Sequence, residues 1–236
     1  MVYCETKYTP KQVQGFTLMI APDIDHILIE KITEDLKILS NRVPKSAWEQ
    51  LKKTKIFMNK SVRFGKTEEE ADSRGGACFH PAKGWLVENG NQEQKVESVE
   101  FYAMVPPRGE YLKRRFHFGH CQEPSPWCII HELGHAYHWY LTWFKESEID
   151  EVYRHASDKG IYESVPHVQG GNLKAYAMTN ATEYFASLTA AYFAYNDYFP
   201  FTRDDLKKHD HKGYELIKKF WEMSDNEIQA MSNSKF

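Results

Sequence analysis

One segment of the sequence, from about residue 126 to residue 140, constrains the fold more than any other. Its apolar side chains recur every three or four residues, which predicts a helix that buries its apolar face. Ser125 suits the N-cap and Pro126 the first helical position, because a proline lacks an N–H that would have no partner there. The apolar residues at helical spacing are Ile129, Leu133, Ala136 and Tyr140.

The same predicted helix carries a spacing of histidines and glutamate that favours metal chemistry. His131 and His135 are four residues apart, so both imidazoles lie on one face, a turn apart. Neutral imidazoles at that spacing can bind one zinc ion at roughly 2.0–2.1 Å each. Glu132 can reach a zinc-bound water without ligating the metal, and there it can take up and later deliver a proton. The pattern predicts a zinc site with Glu132 as general base and acid.

Gly134 adds a packing expectation to this helix. Glycine in a helix interior costs about 1 kcal/mol relative to alanine. Its presence therefore predicts that another backbone packs closely against the helix at this point.

The alternative interpretation of His131 and His135 is a pair of hydrogen-bonded histidines on a buried helix that holds no metal.

A catalytic zinc site needs a third protein ligand and one open position. A third histidine later on the same helix is excluded, because His138 and Leu141 stand where that extended pattern needs glycine and histidine. The best candidate is Glu183, in a largely apolar predicted helix that runs to about Tyr195, where an uncompensated carboxylate would be costly. Glu183 could instead complete a helix cap, since it lies three residues after Asn180.

Other candidate ligands are interpreted as polar groups of the surface or the core. The candidates nearest to the motif in sequence are Glu151, His155, Asp158 and Glu163. A helix over residues 149–157 would put Glu151 and His155 on one face. The remaining histidines interpreted in this way are His138, His167, His209 and His211, whereas His117 and His120 could line a cleft.

The rest of the chain divides into a mixed half and a helical half. Strands are predicted over residues 13–20, 54–58, 84–87 and 96–105, helices over 23–42 and 45–52, and an exposed loop over 60–76. Residues 201–223 are predicted to be helical, amphipathic and packed into the core. We therefore expect one α+β domain over residues 1–236, with a mixed α/β lobe in 1–122 and a helical lobe in 123–236.

Composition excludes several partner classes. The net charge of −3 is too close to neutral to indicate nucleic acid, and no apolar run approaches the roughly 20 residues of a membrane span. The first residues lack the basic and apolar regions of a signal peptide, so no signal peptide is expected. The location stays open between the cytoplasm and secretion after processing. The oligomeric state is also open. The four cysteines are predicted to be reduced, with a Cys121–Cys128 bridge as the alternative.

The motif His131-Glu132-Leu133-Gly134-His135, followed far downstream by Tyr176 and Glu183, resembles the gluzincin zinc metallopeptidases. The resemblance is closest to the anthrax lethal factor-like branch, which includes the Pro-Pro endopeptidases, and it covers about residues 125–200. It implies a zincin-like fold with the active-site cleft between the two lobes. It also implies that Glu183 is the third zinc ligand and that Tyr176, seven residues earlier, stabilises the oxyanion.

Together these observations predict a zinc-dependent peptidase, which by resemblance is an endopeptidase, acting on a peptide or protein substrate. The substrate is expected to lie extended along an edge strand, for which residues 96–105 are the candidate. Activity is expected to fall on acidification, because the ligand imidazoles must be neutral. Two alternatives remain: a zinc-containing binding or scaffold domain without turnover, and a zinc hydrolase of a non-peptide amide. The intact Glu132 gives no support to a loss of turnover.

Overall fold

A five-stranded mixed sheet forms the N-terminal part of the chain in a computed structural model, which describes residues 6–22, 24–59, 76–88, 91–102, 126–224 and 226. The strands are β1 (Thr9–Val13), β2 (Phe16–Ile20), β3 (Lys55–Met58), β4 (Gly76–His80) and β5 (Ser98–Tyr102), in the spatial order β1-β2-β3-β5-β4. β2, β3 and β5 are parallel, and β1 and β4 pair antiparallel at the two edges.

A tight turn divides the single strand predicted over residues 13–20. Gln14 and Gly15 both have positive φ, 50° and 88°, so the chain reverses there and β1 pairs with β2 as a hairpin. Two-residue hairpins favour this left-handed backbone because its twist matches that of the strands. Glycine adopts it without the steric cost of a Cβ.

Two helices connect β2 to β3. They are α1 (His26–Ser40) and α2 (Lys45–Leu51), close to the predicted ranges. Asp25 caps α1, since its carboxylate accepts from the Ile27 N–H. Leu28, Ile32, Leu36 and Leu39 repeat at helical spacing and are buried in the core.

The segment predicted as a strand over residues 84–87 is instead a short helix, α3 (Lys83–Glu88), followed by a 3-10 turn, Glu93–Lys95. The strand prediction is therefore wrong. β5 already pairs with β3 on one side and β4 on the other, so the connection between β4 and β5 has no place beside β5. The helical connection buries Leu86 completely.

The second half of the described chain is mainly helical. Its helices are α4 (Trp127–Thr142), α5 (Ser147–Asp158), α6 (Ala181–Phe193), α7 (Arg203–His209) and α8 (His211–Trp221), with a two-stranded sheet of β6 (Val165–Pro166) and β7 (Asn172–Leu173). The predicted helical segment 201–223 is divided at Asp210, which caps α8 by accepting from the Gly213 N–H. The fold is thus mixed α+β, with an N-terminal sheet and helices.

Several predicted features lie outside the described residues. They are Ser125 as N-cap, residues 60–75 of the predicted loop, Cys4, Cys121 with its alternative bridge, and His117 and His120. Gly76, the last residue predicted in that loop, instead begins β4 because it pairs with Tyr102. Within the described residues Cys78 and Cys128 are free thiols. None of the helices in this part of the chain is both long and apolar enough to cross a membrane.

Candidate metal centre

Helix α4 places the two histidines of the motif and the intervening glutamate together beneath the sheet. The helix spans Trp127–Thr142, so Pro126 occupies the N-cap and not the first helical position predicted for it. Trp143 follows as the C-cap in the left-handed conformation. His131, Glu132 and His135 are each at most 9% exposed. Such burial is costly for polar groups unless they have partners, so the contacts of these three side chains define the site.

Helix α6 supplies the distant carboxylate. The Glu183 backbone N–H donates to Asn180 Oδ1 at 2.9 Å, which caps the helix. Its side chain turns the other way: Glu183 Oε2 lies 3.1 Å from His131 Nε2 and 3.3 Å from His135 Nε2. The cap uses the amide of Glu183, whereas its carboxylate meets the histidines and does not complete the capping box that was the alternative interpretation.

Close packing of α4 on α6 brings these groups together. A Cβ atom at Gly134 would lie 3.2 Å from the Ala186 Cα and 3.4 Å from the Thr189 side chain. This confirms the prediction that another backbone approaches the helix at Gly134. A larger residue would hold α6, and with it Glu183, away from the histidines.

The three donor atoms are separated by the distances expected for ligands of a small metal ion with tetrahedral coordination. His131 Nε2 and His135 Nε2 are 3.2 Å apart, and Glu183 Oε2 completes a triangle with sides of 3.1 and 3.3 Å. Ligands bound tetrahedrally at 2.0–2.1 Å lie roughly 3.3–3.4 Å from one another. Burial raises the pKa of Glu183, but hydrogen bonds and charge from both imidazoles outweigh it and hold that pKa well below its usual range. The residues present therefore fit zinc.

Glu132 is buried beside this triangle without belonging to it. Burial is the main cause that raises the pKa of Glu132 to about 7, and the negative charge of Glu183 adds to it. The charge of His131 and a hydrogen bond to the Phe79 backbone act in the opposite direction. A carboxyl group with a pKa near neutrality can both accept and release protons at physiological pH.

Tyr176 lies at the mouth of the site, in a 3-10 turn that precedes α6. Its side chain is half exposed, and its ring centroid is 6.2 Å from that of His131. Burial, the charges of Glu183 and Glu132 and a hydrogen bond to Glu183 raise the pKa of Tyr176 to about 12. The phenol therefore keeps its proton at neutral pH and can donate a hydrogen bond.

A cleft of about 550 Å³ opens above these groups. One wall is strand β4, and the other comes from α4, Tyr176 and α6. Sequence reasoning missed several lining residues, and only the short apolar run Ala77-Cys78-Phe79 could have indicated a strand there. The missed residues include Gly76, Ala77, Cys78, Phe79, Pro81, Phe144 and Asp197.

The strand predicted over residues 96–105 is confirmed over Ser98–Tyr102, but the expectation that it is an edge strand is wrong. Its described part, β5, lies between β3 and β4 and is not an edge strand. β4 ends the sheet in the described part of the chain, and it is β4 that lines the cleft. Whether a strand lies at the edge or in the centre of a sheet depends on its pairing with strands distant in sequence. The local residue pattern of one strand does not contain that information.

A second group of potential ligands beneath β4 does not have metal-like spacing. His80 Nε2 lies 2.7 Å from Glu100 Oε2, which is a hydrogen-bond distance shorter than the separation of two ligands on one ion. Lys95 and two asparagines also donate to Glu100. Burial raises the pKa of Glu100, but its bond with His80 and the charge of Lys95 lower it further than burial raises it. The group is a buried, charge-compensated hydrogen-bond network.

The other candidate ligands lie away from the centre. Glu151, His155 and Asp158 line a separate surface pocket on α5, and Glu163 pairs with Lys174 at 2.8 Å. The remaining histidines occupy four different environments. His138 is buried, His167 packs against Tyr198, His209 contacts the Ile161 carbonyl, and His211 is exposed on α8.

No family model matches the chain, and comparisons with curated proteins and with solved structures find no match. Function is therefore inferred from the side chains and geometry of the centre itself.

Proposed function

We propose that this protein is a zinc-dependent metallopeptidase of the gluzincin type, with a zincin-like arrangement of sheet, metal helix and cleft. One observation carries the proposal. The donor atoms of His131, His135 and Glu183 converge at mutual distances of 3.1–3.3 Å, beside the buried carboxyl group of Glu132. A ligand set of two histidines and one carboxylate is one that catalytic zinc sites use.

His131, His135 and Glu183 would hold the metal, and they contribute one negative charge in total when both imidazoles are neutral. A zinc ion bound by such a set supplies a Lewis acid for the scissile carbonyl and lowers the pKa of water towards about 7. The three side chains also orient one another, because α4 and α6 pack too closely at Gly134 to shift independently.

Glu132 moves the proton in this mechanism. Its carboxylate takes a proton from the attacking water as the new C–O bond forms, and then delivers it to the leaving amine as the C–N bond breaks. A pKa near 7 leaves a large fraction of Glu132 ionised and ready to accept at neutral pH. Burial keeps the carboxyl group from exchanging that proton freely with solvent.

Tyr176 and strand β4 position the substrate. The phenol of Tyr176 donates a hydrogen bond to the oxyanion of the tetrahedral intermediate, and its half-exposed position in the cleft wall leaves it accessible to the substrate. In the described part of the chain β4 is an edge strand, to which an extended peptide can add as a further strand directly beside Glu132.

The test of this proposal combines metal analysis with a peptide-cleavage assay. Wild-type protein is expected to bind one zinc ion per chain and to cleave members of a mixed peptide library, read by mass spectrometry. Glu132→Gln is expected to keep the zinc but to lose about 10²–10⁴-fold in cleavage rate, since it cannot accept the proton. Glu151→Gln, at an exposed carboxylate of α5, serves as the matched control and should retain both properties.

Three outcomes contradict the proposal. Unchanged cleavage by Glu132→Gln would show that Glu132 is not the base. Zinc binding by wild-type protein without cleavage of any peptide favours a binding or scaffold domain. Hydrolysis confined to non-peptide amides favours the other alternative class.

A further inference from the structure

Asp197 places a third carboxylate in the wall of the cleft, on the segment that follows α6. It lines the cleft together with Glu132 and Glu183, whereas no lysine or arginine is among the described lining residues. Glu183 faces the histidines and Glu132 is buried beneath them, so Asp197 is the one of these three carboxylates without a role in the proposed chemistry. Its position in the cleft suits contact with a bound molecule.

The backbone around Asp197 is held on both sides. The Val168 N–H donates to the Asp197 carbonyl at 3.0 Å, and the Asn196 N–H donates to the Phe201 carbonyl at 2.8 Å. Backbone N–H groups of Asp197 and Tyr198 lie near the carboxylate and act against the rise in its pKa that burial causes. A carboxylate on a backbone held at these two points loses less conformational entropy on binding a ligand than one on a free loop.

No cation of the described chain pairs with this carboxylate. Within that part of the molecule, neither lysine, arginine nor histidine lies within ion-pair distance of the Asp197 oxygens, although the charges of His131 and His167 act on it from farther away. Burial raises the pKa of Asp197, and the nearby imidazoles and backbone N–H groups offset only part of that desolvation cost. The absence of a hydrogen bond to His131 also argues against a role in orienting that ligand.

We propose that Asp197 binds a cationic group of the substrate, either a lysine or arginine side chain or a free α-amino group, so that the protein selects basic peptides. The inference rests on the proposed function, because it takes the occupant of the cleft to be a peptide. The cation would offset the desolvation of Asp197 and form a charge-assisted hydrogen bond with a preorganised acceptor.

The test measures peptide binding separately from turnover. Zinc-loaded Glu132→Gln protein is titrated into fluorescein-labelled, N-acetylated octapeptides of alanine, glycine and leucine, and anisotropy gives the Kd. Each peptide carries lysine, arginine, glutamine or norleucine at one position, scanned along the chain. A second set has a free amino terminus and no basic side chain, which distinguishes the two sources of the cation.

We expect lysine or arginine at one position, or the free amino group, to tighten binding about tenfold over the neutral peptide. Asp197→Asn in the same background should abolish that difference, and Asp197→Glu should retain it. Glu215→Gln, which removes a charge from an exposed site on α8 outside the cleft, is the control and should also retain it.

The proposal is overturned if Asp197→Asn keeps the preference, if neutral and basic peptides bind equally, or if no peptide binds. It is also overturned if Asp197→Asn loses zinc while the preference is unchanged, because Asp197 would then be a positioning residue for the metal. Failure of the proposed function gives a different result, in which zinc-loaded wild-type protein cleaves no member of the mixed peptide library.

Discussion

At the scale of single residues, His138 combines deep burial with an unmet need for partners. The side chain is 2% exposed, packs between the rings of Phe144 and Phe185, and has no hydrogen-bond partner for either nitrogen among the described residues. Burial, followed by the charge of His135, lowers the pKa of His138 to about 3. An unpaired buried polar group of this kind costs about 1–3 kcal/mol.

We predict that His138→Leu stabilises the metal-free protein by about 1 kcal/mol at neutral pH, and by more in acid. Below a pH of about 6.5 the imidazole of the unfolded chain binds a proton, whereas that of the folded chain binds it only near pH 3. The wild-type protein therefore becomes less stable as the pH is lowered through this range. The leucine variant lacks that loss. Urea unfolding in chelator at pH 7.5 and pH 5 measures both effects.

His211→Gln, at an exposed histidine of α8, is the control for the loss of a titratable side chain and should change little. If His138→Leu were instead less stable and bound zinc more weakly, the His138 nitrogens would have to serve a partner that lies outside the described residues or is a ligand.

How much of the site the sequence predicted depends on how local each relationship is. His131 and His135 are one helical turn apart, so their shared face follows from helix geometry alone. The prediction of Glu183 as a ligand follows from the energetic cost of a carboxylate in an apolar helix. That cost indicates that Glu183 needs a positive partner but does not identify the partner. Asp197 had no such signal, because its place in the cleft depends on how the segment after α6 folds back onto Val168.

At the scale of helices and strands, the contact between α4 and α6 is the feature on which the centre depends. The two helices cross at Gly134, where the nearest neighbour of an added Cβ would be the Ala186 Cα, an atom of helix backbone. Backbone in a packed helix cannot rotate away as a side-chain tip can, so relief requires movement of α6 as a whole. Movement of α6 carries Glu183 away from the histidines.

Gly134→Ala is therefore expected to destabilise the protein by about 1–3 kcal/mol from overpacking, in excess of the gain of about 1 kcal/mol in helix propensity. It should also weaken zinc binding, because Glu183 moves with α6. Thermal unfolding and competition with a chromogenic chelator give the two quantities.

The matched control is Gly84→Ala. Gly84 lies in helix α3, and a Cβ there would meet no atom of the described residues within 4 Å, so the substitution should be neutral or stabilising by up to about 1 kcal/mol. Equal behaviour of the two variants would show that the close approach at Gly134 has no energetic consequence.

The sequence predicts helices and strands well where a long amphipathic repeat identifies them. It predicts them poorly where pairing between strands distant in sequence decides whether a segment is a strand. Helices α1 and α4 each contain several turns of repeat, and both were expected at nearly their observed bounds. Residues 84–87 have strand-forming side chains, but four residues are too few to separate a strand from a helical turn. Strand β4 was not predicted, although it forms one wall of the cleft.

At the scale of the whole molecule, the centre links two helices whose ligands are 52 residues apart in the chain. A metal ion that binds the folded site and not the unfolded chain must stabilise the entire cooperative fold, by about 2.7 kcal/mol when free zinc is 100 times its Kd. Without the ion, the cluster of His131, His135 and Glu183 still forms hydrogen bonds, so the chain is expected to fold in chelator, but with lower stability.

We therefore predict that the unfolding midpoint rises with zinc concentration, and that Glu183→Ala removes most of this rise. The residual pair of imidazoles is a weaker site, so a higher zinc concentration is needed for the same stabilisation. Acidification should remove the rise in wild-type protein, because imidazole binds zinc only without its proton. Differential scanning calorimetry across a zinc titration measures these shifts, with Glu163→Ala, an exposed carboxylate paired with Lys174, as control. If Glu183→Ala responded to zinc as wild-type protein does, the third ligand would be another residue, because the ion would be bridging α4 to something other than α6.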